Sequence, residues 1–124
     1  MINRRPKIIG YRLASVRPFG LTGDALEVTP HPGVFASRPS ALAHVMGDNT
    51  RVIELRRGGR SSADPAGQPR PGWWHVVCAA GHVELPCATW QSADRALERI
   101  ERHRECSYQH RIITRHPDVI ALFQ

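Results

Sequence analysis

Polar and apolar positions first alternate with a period of two. Between Lys7 and Ser15, the residues Ile9, Tyr11 and Leu13 alternate with Gly10 and Arg12, which is the pattern of a half-buried strand. Pro18, Gly20 and Gly23 mark a turn, Ala25 to Thr29 reads as a second short strand, and Pro30-His31-Pro32-Gly33 turns the chain again. Val34 to Ala36 suits a brief strand. Ser37 or Ser40 can cap a helix over Pro39 to Met46, with the proline tolerated in the first turn. Arg51 to Arg56 then reads as a strand.

From Arg57 to Gly72 there is no apolar period. Gly58, Gly59, Ser61, Ser62, Pro65, Gly67, Pro69 and Pro71 predict a flexible linker or a long exposed loop. Alternation resumes in Trp73 to Ala79 and His82 to Cys87, a hairpin about Ala80-Gly81. The period then lengthens. Trp90, Ala93, Leu97 and Ile100 form one apolar stripe of a helix over Thr89 to Arg104, with Thr89 as its N-cap. Arg111 to Thr114 is a last strand, and Pro117-Asp118 opens an apolar C-terminal turn, Val119 to Phe123.

These elements predict an α+β fold of two small strand–helix–strand lobes with antiparallel sheet. An N-terminal β-α-β lobe covers 1–57, the Gly/Pro/Ser-rich loop 58–71, and a hairpin–helix–strand lobe 72–124. The halves look alike, but such units recur so widely that the likeness alone does not establish a duplication.

The chain has 124 residues, the size of one ordinary domain, and 41% of them are hydrophobic, enough for a core. The longest apolar run, near Trp73 to Ala80, is interrupted by His75 and is too short to span a bilayer, so no membrane partner is expected. No signal-like stretch follows Met1, and three cysteines cannot pair off completely; the expected location is the cytoplasm.

The net charge of +6 is unevenly placed. Arg4, Arg5, Lys7, Arg12 and Arg17 precede any acid, and Arg51, Arg56, Arg57, Arg60 and Arg70 outnumber Glu54 and Asp64. Two basic zones of this kind suit a phosphate backbone or an acidic protein surface, and equally a solubilising tail and loop. Arg95, Arg99 and Arg102 on the long helix are interleaved with Asp94, Glu98, Glu101 and Glu105, which reads as a solvated face. Of the adjacent Trp73 and Trp74, one should face away from the core, where it could stack on a partner or be covered by the linker.

Cys78, Cys87, Cys106 and most histidines fall in the second half. Cys78, Cys87, Cys106 and His110 could complete a tetrahedral zinc site, with His82 as a competing ligand; three buried thiols are the alternative, with no cofactor at all. Cys87, just before a helix, could serve as a nucleophile if a histidine lay within reach. No G-x-S-x-G, P-loop or H-E-x-x-H motif is present.

The run Gly33-Val34-Phe35-Ala36-Ser37, with Ala41 and Val52-Ile53-Glu54-Leu55 after it, resembles the strand-and-helix segments of ADP-ribosyltransferase-type folds. The resemblance covers a small part of the chain and would leave Glu54 as the one candidate catalytic glutamate. The expected function is a non-catalytic binding protein. It would contact nucleic acid or a nucleoprotein complex through Arg4, Arg5, Lys7, Arg56, Arg57, Arg60 and Trp74. A phage or mobile-element inhibitor of a host machine fits such a chain. A small enzyme using Cys87 or Glu54 is the alternative.

Overall fold

The alternating segments become strands and the longer-period segment becomes the main helix. The computed structural model describes residues 7–65, 67–81, 83–103 and 108–124. Its elements are β1 (Ile8–Phe19), β2 (Ala25–Pro30), α1 (Arg38–Ala43), β3 (Thr50–Arg56), β4 (Trp74–Cys78), β5 (Glu84–Cys87), α2 (Trp90–His103), β6 (His110–Thr114) and α3 (Pro117–Ala121). No helix among the described residues is long and apolar enough to cross a membrane.

All six strands join one antiparallel sheet in the order β3-β1-β2-β6-β4-β5. β1 runs on to Phe19, past the turn expected at Pro18, because Pro18 pairs with Leu26 and Phe19 with Ala25 in a hairpin. The brief strand expected at Val34 to Ala36 is reduced to a single bridge, Phe35 to Tyr11. The expected helix over residues 39–46 is shorter, ending at Ala43, and its cap is Ser37, whose hydroxyl accepts from the Ser40 amide.

Each half of the sheet is a hairpin, a helix, and a strand that returns to the far side of the first. β2 and β3 are therefore parallel with β1 between them, and β5 and β6 are parallel with β4 between them. The two pairs point in opposite directions because β2 and β6 are antiparallel. Such crossovers are right-handed, so the opposed strand directions send α1 and α2 to opposite faces of the sheet. Side chains agree. Arg12, on the face with Ile53, is paired with Asp94 of α2 at 2.7 Å, whereas Arg38 of α1 reaches Glu54 on the other face.

The core lies under α2. Ala14, Val28, Ile53, Ile112, Val76 and Trp74 line one face, and Trp90, Ala93, Leu97 and Ile100 pack onto it. Thr89 caps the helix as expected, its hydroxyl accepting from the Ser92 amide at 3.1 Å. The Trp90 indole donates to the Val28 carbonyl at 3.0 Å.

The stretch from 58 to 71 departs from the expected solvated linker. Ser62 and Ser61 pair back onto Glu54 and Leu55, and Ala63 sits inside the core. Asp64 accepts from the Trp74 indole, the Trp90 amide, and the Ser61 amide and hydroxyl, all within 3.0 Å. One carboxylate thus holds the loop, the hairpin and the start of α2 together. Gly58 and Ser62 are exposed, as are Gly67, Gln68, Arg70 and Pro71 in the later part.

Candidate functional site

The two basic zones of the sequence become neighbours at the sheet edge formed by β3. β1 and β3 pair along most of their length, and the Arg57 amide donates to the Lys7 carbonyl at 2.9 Å. Lys7 and Arg57 are both exposed. Arg56 is half-buried and spends one fork arm on Glu54 at 2.9 Å, and Arg38 approaches the same carboxylate at 3.7 Å. Arg60 donates to the Pro65 carbonyl at 2.9 Å, pinning the turn that folds residues 60–62 against the edge. Arg51 is exposed and donates to the carbonyls of Asp48 and Thr50. Arg4 and Arg5 lie outside the described residues.

The edge itself is only partly closed. Glu54 and Arg56 turn their backbone groups outward, onto Ser62 and Arg60. Val52 shares that alternation, so its N–H and C=O also point away from β1, where no strand follows among the described residues. A shallow cavity of about 250 Å³ lies there, with Arg38, Arg51, Val52, Leu122 and Phe123 in its wall. Arg51 belongs to the central basic zone but was not among the expected contact residues, and Arg38 lies outside both zones; the fold sets the two on one edge.

Trp74 does not belong to this surface. Its side chain is fully enclosed and its indole is bonded to Asp64, so it offers no ring to a partner. Trp73 is buried too, edge-on to His116. Trp73 precedes β4 and joins the same core cluster as Trp74, so neither ring is turned outward.

Of the proposed zinc ligands, the register brings two together. Cys78 and His110 are cross-strand partners in β4 and β6, both buried, and His110 Nε2 has no hydrogen-bond partner among the described residues. Cys87 is paired instead with Trp74, four residues along β4 from Cys78, a separation of roughly 13 Å that no single ion can bridge. Cys106 and His82 lie outside the described residues. Among the described residues no group of three or more His, Cys, Asp or Glu side chains converges on one point.

Cys87 also lacks the environment of a nucleophile. Burial pushes its thiol above the usual range, and its sulfur donates to the Leu85 carbonyl, whereas a reactive cysteine needs a lowered pKa. Glu54 is held between Arg56 and Arg38 at the open edge. Comparison with protein-family models, with curated proteins and with solved structures returned no match for this chain.

Proposed function

We propose that this chain is a non-catalytic binding protein that docks nucleic acid, alone or within a nucleoprotein complex, on the β3 edge. The observation that carries the reading is the backbone bond from Arg57 to Lys7, which merges two basic zones about fifty residues apart in sequence into one surface. Arginine forks and a lysine on one edge suit phosphate oxygens, and their clustering concentrates the field that steers a polyanion. Within the edge, Glu54 orients Arg56 and Arg38 and is the acid most closely engaged with them.

The test is binding to single- and double-stranded oligonucleotides across a salt series. Charge reversal at Lys7 and Arg57 should weaken binding and reduce the slope against log salt by roughly one per lost phosphate contact. Absence of binding at low salt ends the nucleic-acid reading.

The outward N–H and C=O of Val52 favour a second reading, in which an acidic extended polypeptide adds a strand to the same edge. Arg38 and Arg51 would then meet its carboxylates. Replacing Val52 by proline removes the outward amide; loss of a protein partner with oligonucleotide binding intact would assign the edge to a polypeptide.

A further inference from the structure

β3 offers hydrogen bonds in the plane of the sheet and side chains on either side of it. The N–H and C=O of Val52 point away from β1, one donor and one acceptor side by side. They open on the edge cavity of about 250 Å³, whose walls come from opposite faces of the sheet. Arg38 enters from α1, and its guanidinium approaches Glu54 at 3.7 Å. Phe123 packs against the core under α2 and so enters from the other face, with Leu122 beside it.

A flat group hydrogen-bonded to Val52 therefore continues the plane of the sheet, with a guanidinium on one side and apolar carbon on the other. An unpaired nucleobase is held in this way: its edge takes the hydrogen bonds and its faces stack on a guanidinium plane or a ring. Every base carries a donor next to an acceptor on its pairing edge, so one peptide N–H and C=O can meet any of them in one order or the other. A base inside a duplex cannot enter, because its pairing edge is spent on its partner and its faces on its neighbours.

The charges suit the same orientation. Arg51 is exposed, lines the cavity, and spends Nη1 on the carbonyls of Asp48 and Thr50. Its Nε and Nη2 remain for a phosphate beside the base. Glu54, the acid in the wall, is shared by Arg56 and Arg38.

We propose that the β3 edge takes single-stranded nucleic acid and seats one unpaired base in this cavity, between Arg38 and Phe123. This rests on the nucleic-acid reading of the edge and narrows it from any polyanion to a strand with a free base.

The experiment is an anisotropy titration of the full chain at low salt with a short labelled single-stranded oligonucleotide, its abasic counterpart and its duplex. The base-bearing strand should bind roughly fivefold or more tighter than the abasic strand, and tighter than the duplex. Arg38→Lys keeps the charge and loses the flat guanidinium, so the ratio of base-bearing to abasic affinity should fall. Val52→Pro removes the outward N–H at a position where an edge strand tolerates proline, and should lower the same ratio, its fold checked by circular dichroism. Equal affinity for base-bearing and abasic strands, or a duplex bound at least as tightly, overturns the inference while the nucleic-acid reading stands. So does an unchanged ratio in both variants, which would leave the groove to an extended polypeptide. Absence of binding by all three probes ends both readings.

Discussion

The stretch from β1 to β3 and the stretch from β4 to β6 share an element order and a strand order, yet they divide the protein's work unequally. Each is a hairpin followed by a helix and a returning strand. In the second, the helix has 14 residues and buries Trp90, Ala93, Leu97 and Ile100. In the first it has six and buries only Ala41. The N-terminal stretch instead contributes the basic edge and the open backbone at Val52. One topology thus supports a stretch that supplies most of the packing and another that presents charge.

The largest test of this division is a pair of helix substitutions. Trp90→Ala removes a fully buried ring and its bond to Val28, and should cost about 3–5 kcal/mol in urea unfolding. Ala41→Gly, its counterpart in α1, should cost only about 1 kcal/mol. Comparable losses at both sites would erase the contrast.

Metal content sharpens the comparison from the other side. An ion held by Cys78 and His110 should be present at about one per chain, and chelation should lower the melting temperature. Cys78→Ala or His110→Ala should then abolish metal uptake while Cys87→Ala leaves it intact. A metal-free chain indifferent to chelator would leave the pair as packed side chains.

Asp64 ties the loop to both tryptophans of the second stretch, so Asp64→Asn should cost about 1–3 kcal/mol through lost and mismatched hydrogen bonds. The wild type should also carry a pH signature that the variant lacks. Burial raises the Asp64 pKa above the usual 3.8, against the lowering effect of its bonds to Trp90, Ser61 and Trp74. A raised pKa means the folded state holds its proton more tightly. The corresponding stability is fully present below the unfolded pKa and is lost as pH rises through the folded one. Glu84, lowered by Arg115, works in the opposite sense but is common to both proteins, so the difference profile isolates Asp64. A flat difference from acid to neutral pH would contradict this.

Much of the fold was legible because its rules are local. The period-two runs became strands and the Trp90-Ala93-Leu97-Ile100 stripe became the face of α2. What escaped depends on distant residues. Asp64 sits in a run of Gly, Pro and Ser, and its role appears only when Trp74 and Trp90 fold over it. The edge was half legible: the two basic zones, one with Lys7 and one with Arg51, Arg56, Arg57 and Arg60, are visible in the sequence, while their meeting and the addition of Arg38 come through topology. Cys87 stands apart from Cys78 and His110 because a hairpin register, not sequence proximity, decides which side chains meet.

The short β2–β6 pairing has a consequence for how the molecule opens. β1 and β3 share a long ladder, whereas the middle of the sheet is joined by two residue pairs, the Glu27–Arg111 ion pair, and an indole reaching across from α2. Amide protons along β1 are shielded by β3 on one flank and β2 on the other, but those at the join have few neighbours that must break with them. In deuterated buffer, the amides of β2 and β6 at the join should therefore exchange ahead of those along β1, although both lie inside the sheet.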